Sequence, residues 1–310
     1  MIEVEKLRKV YAGGVEAVKG IDFDVAAGEV FALLGPNGAG KSTTIGMLTT
    51  TVRPTSGTAR LAGFDVGAQP LAARRVSSVV FQEAVVDRSL TGRSNLDLHA
   101  RLWGVEPGAA RKRIEALVGM VGLRDLVDRP VSTYSGGERR RLEIARALVS
   151  SPRVLFLDEP TVGLDPRIRV ELLDVIAELR GRSDLTILLT THYLDEAERL
   201  CDRVAIMHAG RIVALDEPER LRAGLGRELV ELRVEGDAAA ALASLRSLGI
   251  AHDNAFTVGA TVTVPLNGHS SREAIAAIHE LGLADAVSAR RPTLDDVYLR
   301  LTGGRLADAA

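Results

Sequence analysis

The chain has 310 residues, 46% of them hydrophobic, and its 39 Lys+Arg against 41 Asp+Glu give a formal charge of −2. That length predicts one sizeable domain plus a smaller one, and the balanced charge carries no basic excess to point to nucleic acid. The lone Cys201 excludes an internal disulfide and reads as a small buried hydrophobe, no apolar run approaches the ~20 residues of a bilayer span, and Met1-Ile2-Glu3-Val4 has neither a basic nor an apolar signal region, so a cytoplasmic location is expected.

Residues 1–34 read as short strands separated by glycine turns. Tyr11, ahead of Ala12-Gly13-Gly14, is either a turn aromatic or a stacking surface for a base. Residues 29–34 form a short apolar run, the pattern of a buried strand. It leads directly into Gly35-Pro36-Asn37-Gly38-Ala39-Gly40-Lys41-Ser42-Thr43, which fits G-x-x-x-x-G-K-S/T. The glycines let backbone N–H groups close around phosphates, and a helix predicted over 41–49 turns its N-terminus to the same anion. There Lys41 reaches the β- and γ-phosphates of a nucleoside triphosphate and Ser42 ligates Mg²⁺.

Residues 57–82 again read as short strands, and from about 88 to 150 the pattern is helical. Leu96, His99, Leu102 and Trp103 share a helical stripe, which assigns Trp103 to a core rather than to a ligand. Tyr134-Ser135-Gly136-Gly137-Glu138 opens a long helix, and a serine with two glycines there makes either an ordinary N-cap or an anion site. Because the chain has its own phosphate loop, a second anion site suggests a phosphate supplied by another copy. Arg139-Arg140-Arg141 spreads around the helix and reads as a solvated or locally paired face.

Val154-Leu155-Phe156-Leu157 is a buried strand ending in Asp158 and Glu159. The two acids either cap the next helix or serve a metal and a water, Asp158 holding Mg²⁺ and Glu159 polarising the attacking water. A further strand, 185–189, ends at Thr190-Thr191-His192. His192 is either structural or delivered to the γ-phosphate at that strand end.

Together, Gly35 to Thr43, Gln82, Ser135-Gly136-Gly137-Glu138, Leu155 to Glu159, Gly163-Leu164-Asp165 and His192 resemble the nucleotide-binding subunit of an ABC transporter over roughly the first two-thirds of the chain. The resemblance implies an α/β P-loop ATPase domain with a RecA-like core, an antiparallel β subdomain and a helical subdomain. It implies that Tyr11 stacks on adenine. Gln82 senses Mg²⁺ and the attacking water and links the site to the membrane partner. Ser135 and Gly137, with Gly136 between them, close on the γ-phosphate bound by the opposite subunit, and Asp165 couples the two sites of a dimer. Tyr134 and Glu138 depart from the family's usual leucine and glutamine, while the Ser-Gly-Gly core is intact.

Around 221–227 the character shifts, and Arg222-Ala223-Gly224-Leu225-Gly226 reads as a linker between an ATP-binding domain, 1–221, and an accessory domain, 227–304. The tail reads as strand 229–234, helix 238–248, a strand, a hairpin at Gly259, strand 261–266, helix 272–281 and strand 286–290. That order is the α+β ferredoxin-like arrangement. With no acid pair, His cluster or glycine cradle, it reads as a structural or dimer-supporting module. A last helix has Thr293 as N-cap, Asp296 near N3, an apolar face of Leu294, Val297, Tyr298 and Leu301, and Gly303 as its stop.

This C-terminal end, with Phe81-Gln82-Glu83 and the stretch from Asp87 to Leu96, resembles the antibiotic-resistance (daunorubicin-type) ABC exporter ATPases. The implied activity is hydrolysis of ATP, with Mg²⁺, to power efflux of a drug, lipid or glycan. The implied partners are a second ABC ATPase in a dimer and a separately encoded multi-span permease, which holds the chain on the inner face of the membrane. The alternatives are soluble ABC-type ATPases of DNA repair or of translation. The first needs a long coiled coil or a basic face and the second usually two cassettes in one chain; the sequence carries none of these. The loop after Gln82, through Ala84-Val85-Val86, is apolar. It is expected either to form a groove for a short helix of the partner or to fill the core between subdomains.

Overall fold

The computed structural model describes residues 1–83, 85–181, 185–266, 270–280 and 286–304. β1 (Ile2–Val10) and β2 (Glu16–Val25) pair antiparallel, and their alternation buries Ile2, Val4, Phe23 and Val25. β3 (Val30–Leu34) is buried at every position, the pattern of a central parallel strand. α1 (Lys41–Leu48) follows it, and β4 (Ser56–Leu61) and β5 (Phe64–Asp65) complete a first sheet in the order β2-β1-β4-β5. α2 (Pro70–Arg75), started by proline in its first turn, is a helix inside the stretch 57–82 read as strands.

After β6 (Ser77–Val80) come three helices, α3 (Gly92–Leu102), α4 (Pro107–Met120) and α5 (Gly136–Leu148). Strands and helices then alternate through β7 (Val154–Asp158), α6 (Pro166–Arg180), β8 (Thr186–Thr191), α7 (Leu194–Leu200), β9 (Arg203–His208) and β10 (Arg211–Asp216). The second sheet runs β10-β9-β3-β8-β7-β6, and β9, β3, β8, β7 and β6 are mutually parallel. Register brings their carboxyl ends level: Leu34 lies beside Thr191, Thr190 beside Asp158, and Leu157 beside Val80. Beyond such ends lies the crevice in which open α/β sheets bind ligands.

The chain divides into compact units Met1–Ile212 and Val213–Ala310, ahead of the 221–227 linker expected from sequence. The second unit contains α8 (Pro218–Ala223), β11 (Glu228–Arg233), α9 (Ala238–Ser247), β12 (Phe256–Val258), β13 (Thr261–Leu266), α10 (Ser271–Glu280), β14 (Ala286–Arg290) and α11 (Leu294–Thr302). The earlier division follows from α8 packing on α11, which draws the segment before the linker into this unit. The strand order β12-β13-β11-β14, antiparallel throughout, is ferredoxin-like. Val230, Leu232, Val262 and Val264 pack with Leu242, Leu245 and Ile278 in its core. Leu281, the expected last residue of α10, lies outside the described residues.

At the start of α11, Asp296 accepts from the Thr293 N–H at 2.8 Å and from Arg290 at 2.6 Å. Burial alone would raise the Asp296 pKa, but Arg290 and Thr293 outweigh it and hold the carboxyl below its ordinary value. Gly303 ends α11 in the left-handed region at φ 74°. Leu294, Val297 and Tyr298 are buried as expected, whereas Leu301, on the last turn, is 44% exposed and Leu299 is buried instead. Cys201 is buried, and burial pushes its thiol pKa up. Among the described residues no helix is long and apolar enough to cross a membrane.

Candidate functional site

Between β3 and α1 the chain turns through Gly35 to Gly40, with Asn37, Gly38 and Ser42 exposed at its crest. Gly40, at the N-cap of α1, has φ 102°, and a Cβ there would lie 2.5 Å from the Ala17 carbonyl, so only glycine fits. Lys41 is buried and folds back over the loop. Its Nζ donates to Gly35 O at 2.7 Å and Pro36 O at 3.0 Å, and lies 3.1 Å from Glu159 Oε1. Ala39 and Thr43 bracket this turn, and the Tyr11 hydroxyl lies 3.4 Å from Thr43 Oγ1. The Tyr11 ring is 41% exposed, with Lys9 Nζ 5.1 Å from its centroid, so a turn loop has carried it to the start of α1.

The neighbouring strand ends supply the acids. Asp158 Oδ1 accepts from Ser42 Oγ at 3.1 Å and from Thr190 Oγ1 at 2.6 Å. The Glu159 N–H donates to Thr190 Oγ1 at 2.9 Å. Glu159 itself has φ 45°, a left-handed conformation rare for a side-chain-bearing residue, and such strain gathers at functional sites. His192 Nδ1 lies 3.5 Å from Glu159 Oε1, and the His192 ring packs on Tyr193 with centroids 4.2 Å apart. Lys41, Ser42, Asp158, Glu159 and His192 thus form one cluster across β3, β7 and β8. Gln82 follows β6 at the same edge and is exposed; among the described residues no hydrogen bond ties its side chain to Ser42 or Asp158.

At the start of α5, Ser135 Oγ accepts from Glu138 N at 3.2 Å and Glu138 Oε2 accepts from Ser135 N at 2.6 Å, a reciprocal capping box. A Cβ on Gly137 would lie 2.1 Å from Ile168 Cγ2, so glycine lets α5 meet α6 closely. Gly136 faces Leu164. Tyr134 turns inward, donates from its hydroxyl to Leu126 O at 2.6 Å, and has its pKa raised first by burial and then by the charge of Glu138. Asp165 is the N-cap of α6, accepting from Ile168 N at 3.1 Å.

The ABC transporter family model matches residues 18–162. At 43% identity, the daunorubicin/doxorubicin resistance ATP-binding protein DrrA of Streptomyces peucetius aligns with 97% of this chain and 92% of its own length. The chain belongs to the family of ABC transporter ATP-binding proteins. The Nod factor export ATP-binding protein I of Ralstonia nicotianae is 37% identical over 99% of the chain and 95% of its own. The structure of cbiO1 from Clostridium perfringens, part of the ABC transporter complex cbiONQ, is 31% identical with a TM-score of 0.67, covering 72% of this chain and 90% of that one. This ABC ATPase therefore binds and hydrolyses ATP. Its relatives are transporter subunits rather than the DNA-repair or translation factors that the motifs alone left open.

Several residues of this ABC ATPase were not singled out from sequence. Thr190 bridges Asp158 and the Glu159 backbone, yet in a strand it reads as an ordinary β-former. Arg140 is buried rather than on a solvated face, and it takes the other course expected of Arg139-Arg140-Arg141, local pairing. It donates to Pro160 O at 2.7 Å, Glu159 O at 3.1 Å, Asp158 O at 3.3 Å and the Phe81 carbonyl, and pairs with Glu143 at 3.1 Å. The i,i+3 spacing of Arg140 and Glu143 was the available signal. Glu196, also buried, accepts from Thr191 Oγ1 at 2.7 Å, Arg169 Nε at 2.8 Å and the Thr161 hydroxyl, joining the ends of β7 and β8.

Trp103 is a correction as well. It is 37% exposed and borders a cavity rather than filling a core, because the α3 stripe turns partly outward and also exposes Leu98 and Leu102. Val85 stands on the same cavity. Ala84 lies outside the described residues, and Val86 is buried.

Proposed function

We propose that this ABC ATPase is the motor of an exporter, driving a drug, lipid or glycan through a separately encoded multi-span membrane subunit. The gathering of Lys41, Ser42, Asp158, Glu159 and His192 at adjacent parallel strand ends carries the reading. Relatives named for daunorubicin/doxorubicin resistance and for Nod factor export support efflux as its direction. Residues 35–43 cradle the phosphates, and Lys41 leaves Glu159 and the loop carbonyls to neutralise the β- and γ-phosphates. Tyr11 stacks on the adenine.

Ser42 and Asp158 offer hard oxygen donors 3.1 Å apart, a set that fits Mg²⁺, with Gln82 as the third candidate ligand. Mg²⁺ bound there supplies charge neutralisation on the phosphate oxygens. Glu159 accepts the proton of the attacking water, and His192 orients toward the γ-phosphate. Ser135, Gly136 and Gly137 of a second copy close over that phosphate, and Asp165 lies where the two copies communicate. The cavity of about 390 Å³ bordered by Phe81, Val85 and Trp103 is the docking groove for a short helix of the membrane subunit, which keeps the motor at the inner membrane face.

Glu159→Gln tests the reading. The amide takes no proton, so ATP binding persists while turnover falls by about 100-fold or more, and an ATP-bound dimer accumulates. Wild-type turnover in this variant would overturn the assignment of Glu159.

A further inference from the structure

The wall of the 390 Å³ cavity is not uniformly apolar. Phe81, Val85 and Trp103 form an apolar collar, while Arg74, His99 and Arg146 bring nitrogen donors to it, and among the described residues no Asp or Glu lines it. Arg74 is already engaged, donating to Thr50 Oγ1 at 2.5 Å and Thr50 O at 3.2 Å. By contrast, among the described residues Arg146 Nε and His99 Nε2 are buried without a hydrogen-bond partner. Among the described residues, the carboxylate whose charge acts on Arg146 is that of Glu143, a turn back on α5, and it is taken by Arg140 at 3.1 Å and the Val85 N–H at 2.7 Å.

Burial lowers the Arg146 pKa, opposed by Glu143, and burial followed by the Arg146 charge lowers that of His99 to about 4. His99 is therefore neutral at physiological pH and adds a donor without competing charge. A part-buried guanidinium with an orphaned N–H loses hydration it does not regain inside the chain. A carboxylate entering from outside restores that loss with a charge-assisted hydrogen bond.

We propose that Arg146, with His99 beside it, receives an acidic side chain carried by the docking helix of the membrane subunit, so that this charge pair selects the partner while Phe81, Val85 and Trp103 hold the helix's apolar face. The inference rests on the groove reading given above. A recessed cation inside an apolar collar matches an amphipathic helix that bears one acid among its i, i+3, i+4 anchors. A lipid headgroup would bring its phosphate without an apolar side chain for the collar.

The test uses the full chain co-expressed with its candidate multi-span membrane subunit, captured in detergent over a concentration series. Arg146→Met should weaken capture by about ten-fold or more, while Arg146→Lys keeps most of it. Turnover of the isolated chain should stay within about two-fold of wild type, because Arg146 lies outside the ATP site. Arg146→Glu should be rescued by an acid-to-Arg change in one cytoplasmic loop of the membrane protein. Wild-type capture by Arg146→Met with loss in Val85→Asp would keep the groove and overturn the carboxylate pair. Wild-type capture by both would overturn groove and pair together. Binding of the chain to phosphatidylglycerol vesicles that Arg146→Met abolishes would assign the site to lipid and overturn the proposal. Should Arg146→Met lose turnover and hence its fold, alanine replacement of each loop acid in the membrane protein carries the test with this chain intact. If no such replacement weakens capture ten-fold, the pair does not exist.

Discussion

Glu159 holds its backbone in the left-handed region, which costs about 1–2 kcal/mol for a residue with a side chain. Thr190 fixes it there by accepting the Glu159 N–H, and Lys41 fixes its carboxylate. Such over-determination would keep Glu159, the proposed base, in one orientation before substrate arrives. His99 offers a residue-scale prediction about pH. Its folded pKa, lowered by burial and by the Arg146 charge to about 4, lies below the ordinary 6.5. Between those values the unfolded chain binds a proton that the folded chain does not, so stability falls as pH drops from 6.5 toward 4. After allowance for the partial exposure of His99, the loss is about 1–2 kcal/mol. Urea midpoints of the wild type and His99→Gln, measured from pH 7 to 4.5, should show a shallower decline in the variant. Identical slopes would contradict the burial of His99 as its cause.

At the scale of elements, α5 is a clamp as well as a capped helix. Arg140 reaches the carbonyls that end β7 and the Phe81 carbonyl beyond β6, and Glu143 holds the Val85 N–H. The cavity edge at Val85, the proposed docking groove, and the Glu159 strand end therefore share one buried ion pair. Arg140→Met leaves the buried Glu143 charge without its paired guanidinium and should cost about 3–5 kcal/mol in urea unfolding. Adding Glu143→Gln removes that charge, keeps an acceptor for Val85, and should recover part of the loss. A double variant no more stable than Arg140→Met would refute the clamp. The strands that deliver Lys41, Asp158 and His192 were legible in sequence because each is an apolar run stopped by turn or polar residues. Thr190 and Arg146 were not, nor were Arg140's bonds to the Phe81, Asp158, Glu159 and Pro160 carbonyls, since these roles depend on groups that meet only across the fold. Trp103 misled for the same reason: a helical stripe shows which residues share a face, not what that face meets.

Over the whole molecule, the tail's strand order was readable from alternation and the Gly259 hairpin, and β13 and β14 fall where expected. The division between units was not, because α8 joins the second unit by packing on α11, a contact no linker composition reveals. Each chain carries the loop at Lys41 and, on the separate N-terminus of α5, the capped Ser135-Gly136-Gly137 turn; in the two-fold dimer proposed above, each turn would close on the other copy's phosphate loop. The most direct measurement mixes two variants that are each inactive, Lys41→Ala and Ser135→Arg, and reads ATP turnover. A mixed dimer gathers both lesions in one site and leaves the other whole, so equal mixing should restore about a quarter of wild-type turnover when dimers form at random. A mixture as inactive as its components, or full activity of Ser135→Arg alone, would contradict a site shared between copies.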